Sequence, residues 1–208
     1  MSVAVPGNVA GIVLAGGRGV RFGGDKLAAD FGGRPLLHRP IEALATVCRE
    51  IVVVAGADGG LSVPGDLRVP LRIVRDEEPG AGPLAGLLTG LRAATGSIVI
   101  VVGGDMPSLV PDLLHELARR AGETGVAAAV LLVGDAVRPL PCALRRDAAL
   151  EAATSVRAAG GSSLRALLDA LPCATILEGE WRLLDPAGES LDDVDRPEDL
   201  ERLHEPKR

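Results

Sequence analysis

An α/β fold on a doubly wound, mostly parallel sheet with helices on both faces is what this 208-residue sequence predicts. Three observations carry the expectation. Five short β-branched runs are apolar almost without interruption, as strands buried on both faces of a parallel sheet are. Segments with apolar residues at helical spacing lie between them, which is the alternation of a β–α–β chain. The first run also empties straight into a glycine-rich loop, and such folds bind ligands at the carboxyl ends of their strands.

The first strand is read at Gly11 to Leu14. Pro35 to Val47 follows as a helix, with Leu36, Leu37, Ile41 and Leu44 along one stripe. Ile51 to Ala55 and Leu71 to Val74 are the next strands. Leu84 to Ala94 is a helix opened by Pro83, whose fixed φ and lack of an N–H suit a first turn. Ile98 to Val102 is the most hydrophobic strand, and Pro111 to Ala121 is a helix with Pro at its start and Gly122 as its stop. Beyond this point the pattern changes. Gly134-Asp135, between Val126 to Val133 and Val137 to Leu144, predicts an antiparallel hairpin. Asp147 to Ala159 and Ser162 to Ala170 are helices parted by Gly160-Gly161, and Ala174 to Leu177 with Trp181 to Leu184 reads as a short terminal ribbon. A last helix begins near Pro197, where Asp195 and Glu198 have capping-box spacing with Asp195 at the N-cap.

Composition narrows the function classes. A formal net charge of −6 and an aromatic content of 1% argue against a basic nucleic-acid-binding face or a base-stacking platform. Cys48, Cys142 and Cys173 are widely spaced without a C-x-x-C, so neither a disulfide framework nor a zinc site is suggested, and a cytoplasmic location is expected. No apolar run approaches the roughly 18–20 residues of a membrane helix. The apolar stretch near the start lacks a basic n-region and is broken by Pro6-Gly7-Asn8, so it reads as strand and not as a signal peptide. One domain over 1–208 is expected.

The loop Leu14-Ala15-Gly16-Gly17-Arg18-Gly19-Val20-Arg21-Phe22-Gly23-Gly24-Asp25-Lys26 has phosphate-binding chemistry. Glycines let successive N–H groups converge on an anion, while Arg21 and Lys26 bring full positive charge. It is neither common fingerprint: Asp25 separates Gly24 from Lys26, Leu27 stands where a P-loop has Ser or Thr, and Phe22 replaces the third dinucleotide glycine. Asp105, in Gly103-Gly104-Asp105-Met106-Pro107, follows a strand and so reaches the same crevice, where one fixed carboxylate beside phosphates can anchor Mg²⁺; a plain turn before Pro107 is the competing reading. Asp76 and the segment Gly82-Pro83-Leu84 come after another strand and open a helix, whose N-terminus can face a ligand.

The loop resembles the L-A-G-G-x-S-x-R-M-G-x-D-K signature of the molybdenum cofactor guanylyltransferases, within the nucleotidyltransferases, with Gly19 for the usual Ser and Phe22 for the usual Met. Gly82 to Gly86 is similar to the family's G-P-L-A-G, Asp105-Met106-Pro107 to its D-M-P, and 192–200 to its N-V-N-T-P-E-x-L. The resemblance implies a Rossmann-like sheet of the nucleotide-diphospho-sugar transferase type. Its nucleotide-binding half would span about 9–125 and its acceptor-binding half about 126–204. It implies GTP and Mo-molybdopterin as substrates, Mg²⁺ as cofactor, and transient contacts with molybdenum-insertion proteins and apo-molybdoenzymes, with no nucleic acid or membrane partner. By position, Lys26, Arg21 and Asp105 would be catalytic. Leu14, Ala15, Gly16, Gly17, Lys26, Asp76, Gly82, Pro83, Leu84 and Asp105 would bind nucleotide, and Asp105 and Asp195 the metal. Guanine is favoured because cytidylyl relatives usually carry A-A-G and Ser-Leu in these segments. Asp193 and Asp195 depart from the family's two asparagines, and ionised Asp only accepts hydrogen bonds. Ala55 departs from a common Asn. Rival readings are transfer from CTP or to another phosphorylated acceptor, and a non-catalytic GTP-binding protein in cofactor delivery.

Overall fold

A computed structural model describes residues 8–16, 22, 25–56 and 60–204. Gly17 and Arg21 of the expected site lie outside the described residues.

The strands are β1 (Val9–Ala15), β2 (Glu50–Ala55), β3 (Leu71–Arg75), β4 (Ile98–Gly103), β5 (Ala128–Val133), β6 (Ala136–Arg145) and β7 (Cys173–Ile176), joined in one sheet of order β3-β2-β1-β4-β6-β5-β7. The first four run parallel, β6 is antiparallel to its neighbours β4 and β5, and β7 pairs parallel with β5. The sheet is therefore mixed but mostly parallel. Its helices are α1 (His38–Ala45), α2 (Pro83–Ala93), α3 (Pro111–Ala121), α4 (Arg146–Ala158), α5 (Leu164–Asp169), α6 (Glu178–Trp181) and α7 (Pro197–His204).

Both faces of the sheet are buried, because alternate side chains of each strand feed different cores. Val9, Val13, Ile51, Val53, Ile100 and Val102 meet Ile41 and Leu44 of α1 and Leu113, Leu114 and Leu117 of α3. Ala10, Ile12, Val52, Val54, Val99 and Val101 meet Leu84, Leu87 and Leu91 of α2, with Leu164 and Leu167 of α5. Helix α2 is buried on nearly every side from Leu84 to Leu91, and Gly90 is what lets it approach: a Cβ there would sit 2.8 Å from Ile12 Cγ2. Among the described residues no helix is long and apolar enough to cross a membrane.

From β1 the chain winds outward through β2 to β3, then returns to place β4 on the other side of β1. That reversal makes a crevice outside the carboxyl ends of β1 and β4. Gly16 leaves β1 and Asp105 follows β4, so topology alone directs both to it.

Three expectations are corrected. The terminal ribbon does not form: β7 joins the sheet edge, and Trp181 ends the short helix α6. Trp181 is fully buried and its indole Nε1–H donates to Leu132 O at 2.9 Å, a partner a buried indole needs and a surface ribbon would not supply. Helix α1 begins at His38, since Pro35 is engaged in a bridge with Asp30. At α7, Asp199 and not the Asp195/Glu198 pair does the capping: its Oδ2 accepts from the N–H groups of Asp195 and Arg196 at 3.0 and 2.9 Å.

Candidate active site

Lys26 stands on a one-turn 3₁₀ helix, Lys26–Ala28, whose start is fixed by Asp25: its Oδ1 accepts from Leu27 N at 3.2 Å and Ala28 N at 3.4 Å. Thus held, the Lys26 side chain donates from Nζ to Asp105 Oδ2 at 2.7 Å and lies 3.7 Å from Asp195 Oδ1. The Lys26 side chain is more enclosed than either aspartate, with side-chain exposures of 16% for Lys26, 29% for Asp105 and 58% for Asp195. Lys26 thus joins two other predicted residues, so that three distant stretches of chain meet.

Backbone contacts fix this meeting. Gly104 N donates to Leu14 O at 3.0 Å, tying the Asp105 loop to the end of β1. Val194 N donates to Asp105 O at 2.9 Å, while the Val194 side chain is buried with Phe31 and Leu36. Its flanking residues Asp193 and Asp195 are left in the charged cluster. The approach to Val194 is fixed further back, where the buried Asp185 carboxylate accepts from Glu189 N at 2.9 Å and Ser190 N at 2.8 Å, and Ser190 Oγ accepts from Val110 N at 2.8 Å.

Asp193, singled out in the sequence only as a departure from asparagine, belongs to this cluster. Although much of it is open to solvent, desolvation first, then the charges of Asp195 and Asp105, push its carboxyl above the ordinary aspartate range, against Arg138 and Lys26. Two carboxylates thus meet Lys26, and Asp193 stands near enough to feel their charge, with Arg138 near enough to act on it. Among the described residues, no three His, Cys, Asp or Glu side chains gather as a metal-holding set of their own.

A second region lies beyond the β2 side of β1. Gly16 is exposed beside Gly56, 3.6 Å from where a Gly16 Cβ would stand, while Leu14 is partly buried and Ala15 buried. Asp76 follows β3, anchored by its N–H to Ala55 O at 2.8 Å, and its Oδ1 accepts from Glu78 N at 3.0 Å. Its Oδ2 lies over α2, 3.6 Å from where a Gly86 Cβ would stand. The chain then turns at Gly82, φ +95°, where a Cβ would lie 2.7 Å from Ser162 O. That carbonyl also accepts Leu84 N at 3.1 Å, and Ala85 N bonds Gly82 O at 3.1 Å. With Pro83 lacking an N–H, the first donors of α2 are already engaged. Leu84, fully buried, supports this turn and does not line it; Gly82 and Pro83 form its surface. Sequence reasoning assigns Ser162 no part in the turn, because nothing local signals which carbonyl will meet a helix end.

The family model described as MobA-like NTP transferase domain matches residues 11–175. A Chloroflexus aggregans protein named "Probable molybdenum cofactor guanylyltransferase" is 34% identical, over 92% of this chain and 91% of that protein. Among solved structures, molybdopterin-guanine dinucleotide biosynthesis protein A from Archaeoglobus fulgidus superposes with a TM-score of 0.75 at 22% identity, over 94% of this chain and 96% of that one. The 2-C-methyl-D-erythritol 4-phosphate cytidylyltransferase of Thermus thermophilus superposes with a TM-score of 0.65 at 21% identity, over 93% and 96%. At these identities the two structures speak for the fold, which serves more than one nucleotidyl transfer.

Proposed function

The chain belongs to the MobA-like NTP transferase family, and from that premise we propose that it transfers GMP from GTP to the terminal phosphate of Mo-molybdopterin, giving molybdopterin guanine dinucleotide and pyrophosphate. The observation that carries the reading is the convergence of Lys26, Asp105 and Asp195 at the carboxyl ends of β1 and β4, directly after the glycine-rich loop. The name of the Chloroflexus aggregans relative supports guanine and molybdopterin over other substrate pairs.

In the reaction, an acceptor phosphate oxygen attacks the α-phosphorus of GTP as the bond to the β-phosphate breaks. No group on the protein needs to become covalently attached. Catalysis rests on bringing two anions together and countering their charge. Among the described residues, Lys26 is a cation available for the triphosphate, held ready by Asp105 and by the turn that Asp25 caps; by its position in the sequence Arg21 would join it. Asp76 and the Gly82-Pro83 surface would bound the nucleotide on the other side, with the Gly16 backbone between.

Mg²⁺ fits the cluster. It takes one or two carboxylates and completes its octahedron with water and phosphate oxygens. Asp105 and Asp195 are hard oxygen donors already turned toward one cationic centre, so they would hold it. When bound it supplies charge neutralisation along the triphosphate. The electrostatics favour such a cation: among the described residues, Asp105, Asp193 and Asp195 outnumber Lys26 and the Arg138 that acts on Asp193.

The test is pyrophosphate release by purified protein with Mo-molybdopterin, Mg²⁺ and each of GTP, CTP and ATP, coupled to activation of an apo-molybdoenzyme. GTP-selective release with activation is expected. Equal or better turnover with CTP would replace guanylyl by cytidylyl transfer, and GTP binding without pyrophosphate release would make the protein a carrier instead of an enzyme.

A further inference from the structure

Arg157 sits on α4, in the half of the chain assigned to the acceptor, yet its guanidinium reaches the turn that leads into α2. Nη2 pairs with Glu78 Oε2 at 2.5 Å, and Nη1 makes longer bonds of 3.4 Å to both Ala81 O and Gly161 O. The Arg157 side chain is 22% exposed and that of Glu78 60%, so the ion pair itself adds little to fold stability. What it joins matters more. Glu78 N donates to Asp76 Oδ1, Ala81 immediately precedes Gly82, and Gly161 immediately precedes Ser162, whose carbonyl meets both Gly82 and Leu84 N. One planar fork therefore spans the segment from Asp76 to Gly82 and ties it to the turn between α4 and α5. A lysine could reach one of these acceptors but not hold all three in one plane.

We infer that Arg157 is a positioning residue for the nucleotide: it fixes the Asp76–Gly82 turn against the 160–163 turn, without itself touching the reacting groups. This rests on the proposed function, since it takes that turn to bound the nucleotide. Loss of the fork releases the turn while leaving Lys26 and Asp105 in place. The nucleotide must then reorder the turn as it binds, which weakens binding and spares the chemical step.

The experiment measures GTP affinity by calorimetry with Mg²⁺ for wild type, Arg157→Ala and Arg157→Lys, with Tm for each and KM and kcat in pyrophosphate release. Losing one charge-assisted contact and two weak ones should raise the Kd and KM for GTP by about ten-fold in Arg157→Ala. Its kcat, its KM for the acceptor and its Tm should stay near wild type, with Arg157→Lys falling between. An unchanged Kd for GTP in Arg157→Ala overturns the inference, as does a fall in kcat at constant KM or a loss in every parameter tracking a lowered Tm. Wild-type protein that binds no nucleoside triphosphate overturns the reading of the site and the inference together.

Discussion

At Lys26 the candidate site is made of side-chain charge, and at Gly82 it is made of backbone. The first region gathers Lys26, Asp105, Asp193 and Asp195 from distant stretches of chain, partly exposed and, among the described residues, with more carboxylates than cations. The second holds a glycine at φ +95° against Ser162, with its helix-end donors already engaged and Leu84 buried beneath. Charge acts over several ångströms and survives small displacements, whereas a backbone surface works only in one shape. The first region should therefore be sensitive to the identity of its groups and tolerant of shape, and the second the reverse.

The largest break in that comparison is Lys26→Ala. Removing one preorganised charge contact costs about 10²–10³ in rate, while Tm should move little because the ion pairs are partly exposed. Steady-state kinetics beside a melting curve checks it; a folded variant with near wild-type kcat would take this region out of the mechanism. Next is Gly82→Ala, which adds no charge but places a Cβ 2.7 Å from a backbone oxygen at a φ that disfavours side chains. A strained non-glycine residue of this kind costs about 1–3 kcal/mol. Tm should fall, and KM for GTP should rise more than kcat drops. A kcat loss as large as that of Lys26→Ala would erase the division between the regions.

Asp195→Asn sharpens the comparison within the charged region. The cap of α7 is made by Asp199, so Tm should hold, while the Mg²⁺ concentration for half-maximal rate should rise several-fold, as loss of one charged ligand contact implies. A superimposable Mg²⁺ titration would confine Asp195 to its pairing with Lys26. Asp193→Asn should have the smallest effect, and on stability. A carboxyl held above its ordinary range favours the folded state while protonated and costs stability once ionised. The metal-free variant should melt above wild type at neutral pH. The gap should close as pH falls below the ordinary aspartate range, where wild-type Asp193 is protonated folded or unfolded. A variant that melts lower at pH 7 would mean that the Asp193 charge is well compensated.

The same division explains what the sequence made legible. Strands β1 to β4, the hairpin of β5 and β6, and the positions of Lys26 and Asp105 are written in local patterns: β-branched runs, a two-residue turn, glycines and a charge after a strand. The carboxylate side was therefore readable up to its membership. That Asp195 turns to Lys26 while Asp199 caps α7 depends on Val194 being drawn into a core with Phe31 and Leu36, which no spacing announces. The backbone side was less readable. G-P-L-A-G marks the turn, but Ser162 reads as the start of a capped helix on the acceptor side and Arg157 as part of a helix, and only the tertiary fold brings them to Gly82 and Glu78. Trp181 misled for the same reason: its short apolar run reads as a strand until Leu132 supplies the carbonyl its indole requires.

The bond from Val194 N to Asp105 O also makes the charged half of the site depend on a contact remote in sequence. Lys26 and Asp105 follow strands that pair with each other, β1 and β4, without help from residues 185–195. Asp193 and Asp195 come instead with a segment whose docking closes a long loop, at an entropic cost that grows only slowly with loop length. Without that segment Lys26 would keep one of its two paired carboxylates, and the Asp105 loop would lose its outer strap. The charged half of the site is thus sensitive to anything that loosens 185–195, even where the sheet that carries Lys26 and Asp105 is intact.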